Sequence, residues 1–155
     1  METLHGCWLE ADRADSVATE LLRIRSVLNP MTSSSSSPSS AHATSLSAPS
    51  FDHEIITAIL RHVEQTSRLL RDLHDLFPIY RLRVAIVIYY LTVILPCLQR
   101  TLRDMLEFLT CEDFSPRVKW ALMHERLNEQ GGMSLALRFV MYGDFLVQLV
   151  RLLSR

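Results

Sequence analysis

Glycine is scarce in this chain, with four residues in 155, which speaks against a turn-rich all-β fold. Cysteine is almost as scarce. Cys7, Cys97 and Cys111 are an odd count with no CxxC spacing, which excludes a disulfide framework and predicts free thiols in a reducing compartment. No charge of one sign dominates: 16 bases meet 17 acids, for a net charge of −1. A strongly basic footprint for nucleic acid and a strongly acidic tail are both excluded. The first twenty residues hold Glu2, Glu10, Asp12, Asp15 and Glu20 against the single base Arg13, with no continuous apolar core. That is not a secretory signal, and an intracellular protein is the expectation, cytoplasm and nucleus being indistinguishable.

Catalytic signatures are also lacking. The sequence holds no GxSxG, no Gly-rich phosphate loop and no Cys/His pair in a readable context. His124-Glu125-Arg126-Leu127-Asn128 approaches the zinc-protease pattern HExxH, in which two histidines one turn apart hold the metal. Asn128 stands where the second histidine belongs, so a solvated polar face is expected instead. His53, His62 and His74 share a predicted helix, but at about 100° per residue their spacing points them apart. Asp72, His74 and Asp75 are too close together to form a nucleophile–base–orienter line. Glu112-Asp113 is expected in a loop, and Gly131-Gly132 is a better helix stop than a phosphate cradle. No catalytic, metal or cofactor residue is assigned, and no cofactor is expected.

What is present is an ordinary globular composition, 48% apolar and 21% charged. The sharpest change in composition falls at residues 30–50, where ten of 21 residues are Ser, three are Pro and none is charged. Such a segment cannot bury enough apolar surface to offset its ordering entropy, and a disordered linker is expected. It divides the chain into an N-terminal helical segment, 1–29, and a helical domain, 51–155. In the first part, Ala14, Val17, Leu21, Ile24 and Leu28 predict a helix over 9–28 that ends at Asn29-Pro30. Its surface is less apolar than that of the later helices, which leaves its docking open.

Four helices are predicted in the second part. One runs over about 52–76 on the stripe Ile56, Ile59, Val63, Thr66, Leu70, Leu73 and Phe77, closed by Pro78. The next, about 79–110, carries Ile88, Leu91, Leu95, Leu98, Leu102, Met105 and Leu109. Val84, Ile86, Val87 and Ile94 make its first half apolar nearly all round, which predicts the buried central helix. Pro96 predicts a kink in it. Ser115-Pro116 opens a shorter helix with Val118, Trp120, Met123 and Leu127. Ser134 caps the last, about 135–154.

The fold expectation is therefore all-α: a four-helix bundle-like body with a kinked central helix, plus one N-terminal helix before the Ser-rich linker. The last helix carries no stop signal before Arg155. Fraying and continuation into a longer architecture are equally compatible with that pattern.

A membrane span is tested by length. The uncharged stretch from Val84 to Gln99 would rise ~24 Å as a helix, against a hydrocarbon core of ~30 Å. A buried core helix fits better, and peripheral membrane association through 84–99 is the alternative. The excess of arginine suits bidentate pairing with carboxylates. From residue 51 on, 13 bases meet 12 acids, so internal ion pairs are expected ahead of a nucleic-acid stripe.

The blocks Met123–Leu135 and Arg138–Arg155, with looser echoes in Leu69–Phe77 and Leu95–Leu106, resemble a helical segment found in uncharacterised proteins of filamentous fungi. The resemblance implies a fungal, intracellular, helical module of a longer chain. It brings no activity and no site residues with it.

The functional expectation is a non-catalytic protein-interaction or regulatory module. A protein partner or a second copy would dock on the stripe of the last helix, Phe139, Tyr142, Leu146, Leu149 and Leu153, or on the kinked third helix. An enzyme with a scattered site is the remaining alternative. If the stripe is an interface, truncating Leu146 and Leu149 to Ala weakens association.

Overall fold

A computed structural model describes residues 2–28, 49–129 and 132–155. Among them the structure is all-α, in the order α1 (Glu2–Leu28), α2 (Pro49–Leu76), α3 (Val84–Leu109), α4 (Pro116–Glu129) and α5 (Leu135–Ser154). Residues 30–48 of the Ser/Pro-rich segment lie outside the described residues. Its last two, Pro49 and Ser50, are the first helical residues of α2, where proline's missing N–H costs nothing.

The helix pairs α1–α2, α2–α5, α5–α3 and α3–α1 all pack, so the four long helices close a ring; α4 lies against α3, α1 and α5. The fourth long member of the bundle is therefore α1, the helix whose docking the composition left open. Helix α1 also starts seven residues earlier than its apolar stripe suggests. Cys7 and Ala11 extend that stripe, and Cys7, Ala11, Ala14, Val17, Leu21, Ile24 and Leu28 are all buried. The first three are small side chains, which let α1 approach its neighbours closely. All five helices contribute to one hydrophobic core.

Polar contacts fix the register of α1 on α2. Ser67 Oγ donates to Asp15 Oδ1 at 2.6 Å and Arg71 donates to Asp12 Oδ1 at 3.0 Å. Arg71 also pairs with Asp15, and its guanidinium stacks 4.4 Å over the Trp8 ring. Residues rising along α1 meet residues falling along α2, so the two helices are antiparallel. Arginine's several donors are used here to bridge two carboxylates, both from Nη2.

The predicted helices match with shifted ends. Every residue of the α2 stripe from Ile56 to Phe77 is buried. Pro78 ends α2, and a turn in which Ile79 and Tyr80 N–H both donate to the Leu76 carbonyl delays α3 to Val84. Helix α3 then runs as one helix through Pro96 to Leu109. At its end the only lysine, Lys119, donates from Nζ to the Leu109 carbonyl at 3.3 Å. Ser134 caps α5 by accepting the Leu137 N–H at 3.2 Å. Gly132 has φ of 70°, a left-handed conformation suited to the turn between α4 and α5.

Two expectations are corrected. Helix α3 is not the buried centre: Val87, Leu91 and Ile94 are buried in its first half, but Ile86, Tyr89, Tyr90 and Val93 face outward. Its apolar surface is wider than its flanking helices can cover. Second, Phe139, Tyr142, Leu146, Leu149 and Leu153 are all buried. They are the face by which α5 joins the core, not a free interaction surface.

Leu146→Ala therefore acts on stability. It removes a fully buried side chain, and about 2–5 kcal/mol of unfolding free energy should be lost in a denaturant melt, with the sedimentation coefficient of the folded fraction unchanged.

Candidate functional site

Helix α5 is apolar on two faces. Leu146 and its stripe point inward, while Leu137, Val140 and Met141 point out. The exposed side of α5 and the exposed side of α3 lie next to each other. Arg83 Nη1 donates to the Leu152 carbonyl at 3.2 Å. The rings of Tyr90 and Phe145 meet edge to face at 6.1 Å. The hydroxyls of Thr101 and Tyr142 are 2.8 Å apart in the interior, and Tyr142 donates weakly to the Cys97 carbonyl at 3.4 Å. These ties run in opposite directions along the two helices, so α3 and α5 are antiparallel.

Beside the Tyr90–Phe145 contact, along the outer face of α5, lies an open groove of about 710 Å³. Leu149 lies at its floor. Tyr90, Met133, Leu137, Val140, Met141, Phe145 and Leu152 line it, with Gln148 and Asp144 as its polar members. Asp144 is the single charged side chain in that lining. Burial pushes the Tyr142 hydroxyl above the ordinary tyrosine range, so this tie stays protonated and neutral at physiological pH.

The polar residues singled out in the sequence do not converge. His53, His62 and His74 sit half-buried along α2. His74 packs 5.3 Å from the Trp8 ring and contacts Asp75 at 3.1 Å. Among the described residues no group of three His, Cys, Asp or Glu side chains is placed to hold a metal. Glu112 and Asp113 lie in the turn between α3 and α4. The buried Cys7 thiol is pushed up to about 12 by desolvation and is a poor nucleophile. Cys97 is exposed and Cys111 intermediate.

The near-zinc pattern on α4 has a structural use. His124 stacks on Trp120 with centroids 4.9 Å apart. Asn128 Nδ2 lies 3.0 Å from His124 Nε2, and Asn128 Oδ1 accepts the Leu135 N–H at 2.7 Å. The amide thus ties the end of α4 to the start of α5, and it does so best when His124 is neutral. Arg138 reinforces the tie by donating to the Leu127 and Met133 carbonyls. A second histidine at 128 would not reproduce the amide's paired donor and acceptor.

One ionisable group is buried with little support. Glu10 Oε1 accepts from Arg13 at 2.6 Å, while Glu10 Oε2 has no partner. Burial raises the pKa of this carboxyl, and the neighbouring charges of Arg13 and Arg103 oppose that shift.

No family model, curated protein or solved structure matches this chain.

The groove is hard to see in the sequence because the strongest stripe of α5 marks the core face. A signal is nonetheless present: Leu137, Val140, Met141 and Phe145 form a second apolar row on a helix that already has one. A water-facing row of that kind needs its own explanation.

The His124 tie sets a pH dependence. Burial lowers the His124 pKa below its unfolded value of 6.5. The unfolded chain therefore takes a proton first, and stability should fall as pH drops through that value. Glu10 has the opposite sign, since its raised pKa means that its protonation favours the fold as pH falls. Urea titrations in a Glu10→Gln background isolate the histidine, and Asn128→Ala should cost about 1–3 kcal/mol at neutral pH by leaving the Leu135 N–H unpaired.

Proposed function

We propose that this chain is a non-catalytic interaction module that seats an amphipathic helix of a partner protein in the α3–α5 groove. The observation that carries the proposal is the groove itself: the outer face of α5 from Leu137 to Leu152, bounded on the α3 side by Tyr90, apolar and open to water. That shape suits a helix presenting apolar side chains at every third or fourth position. Asp144, the one charged side chain in the lining, suits a lysine or arginine on the incoming helix; one such pair at a rim adds orientation more than affinity.

Val140 and Met141 are exposed on the groove wall, and an aspartate at either position stays in water when the groove is empty. Val140→Asp/Met141→Asp should therefore leave the melting transition close to wild type. Peptides selected from a helical display library on the wild-type protein are expected to share an i, i+3/i+4, i+7 apolar pattern with one base. Their affinity for the double variant should fall at least ~10-fold, about 1.4 kcal/mol. Peptides with no helical pattern, or equal binding to both proteins, would refute the groove as a helix seat. A dimer in sedimentation equilibrium that the double variant dissociates would assign the groove to self-association instead.

A further inference from the structure

A second apolar surface lies beside the groove but outside it. Leu82, Ile86, Tyr89 and Val93 follow a four–three–four spacing and form one ridge, from the turn before α3 along its first three turns. Their exposures are 100%, 51%, 67% and 56%. None of the four lines the groove. Ile79 and Tyr80, in the same turn, are exposed as well. The opposite side of the helix, through Val87, Leu91 and Ile94, is fixed in the core.

Along the chain segment that bears the ridge the charge has one sign. Between Asp75 and Asp104 the chain has no acidic residue, and its charged residues there are Arg81, Arg83, Arg100 and Arg103. Arg81 uses Nε on the Pro78 carbonyl at 3.4 Å, and Arg83 uses Nη1 on the Leu152 carbonyl at 3.2 Å. Each guanidinium has five N–H donors, so both retain donors for an anion. Aliphatic side chains at a turn, tyrosines beside them and arginines flanking them are the chemistry of the lipid–water interface.

We infer that the Leu82–Val93 ridge docks this protein peripherally on an anionic lipid surface. Helix α3 is long and apolar enough to cross a membrane by composition, but its inner face belongs to the protein core. The ridge therefore lies in the interface plane, with Leu82, Ile86, Tyr89 and Val93 reaching below the headgroups and Arg81 meeting them. The inference is independent of the groove, whose lining shares no residue with the ridge.

Flotation of the full chain with vesicles of phosphatidylcholine containing about one-third phosphatidylserine tests it. The expected result is co-flotation that weakens with added salt and is much reduced on pure phosphatidylcholine. Leu82→Asp/Ile86→Asp, at exposed sites that leave the circular dichroism unchanged, should lower vesicle binding at least ~10-fold. Arg81→Glu should lower it only on anionic vesicles, and Val140→Asp/Met141→Asp should bind as wild type, which separates this test from that of the groove. No flotation on anionic vesicles would overturn the inference, as would undiminished binding by the ridge variant. Retention on membranes through alkaline carbonate would overturn it in favour of a spanning helix. A dimer that the ridge variant dissociates would overturn it in favour of a protein contact.

Discussion

The close antiparallel pairing of α1 with α2 is the constraint on which the rest depends. Each of these helices contacts the other and a further wall of the ring, α3 through α1 and α5 through α2. The small Ala11 marks the approach, where its carbonyl accepts from Ser67 Oγ at 3.4 Å, and Arg71 and Ser67 on Asp15 and Asp12 choose one register from those that apolar packing would tolerate. Partly exposed ion pairs of this kind add little stability individually. Their contribution is to make neighbouring registers worse. With that pair fixed, α3 and α5 meet at the far side of the ring, and the groove is the space left where they touch only sparsely.

Much of this was legible in the sequence. The apolar stripe of α2 predicts its buried face residue by residue, because a 3.6-residue period leaves few alternatives once a stripe is six positions long; the stripe of α5 is equally regular, but its period does not say whether the core or a partner covers it, and the core does. The caps at Ser115 and Ser134 and the stop at Pro78 were readable from turn chemistry. Helix α1 was readable over 9–28 from Ala14 to Leu28, but its first turns and its docking were not, because Cys7 and Ala11 give little hydrophobic contrast although they are fully buried. The α3 surface was legible only as a segment. Val84 to Leu95 is so uniformly apolar that the sequence favours burial and leaves membrane association as the alternative, and only the arrangement of the ring shows which side lacks a neighbour.

The molecule thus separates its tasks. Polar side chains that resemble site residues in the sequence act as connectors: Asn128 and His124 at the α4–α5 turn, Lys119 at the end of α3, Arg71 between α1 and α2. Apolar side chains that would ordinarily be core stand in water, on α3 and α5. A stable bundle has no internal need for Leu82 or Met141 at the surface, and their exposure costs solubility.

The hydroxyl pair of Thr101 and Tyr142 has a kinetic consequence. It holds α5 to α3 beside the groove, through a buried and uncharged contact, so neither salt nor moderate pH loosens it. A guest entering such a slot meets a receptor already in its bound shape and freezes little receptor motion on arrival. Encounter should then follow a single bimolecular phase with no slow rearrangement, and selectivity among guests should reside in how long each one stays.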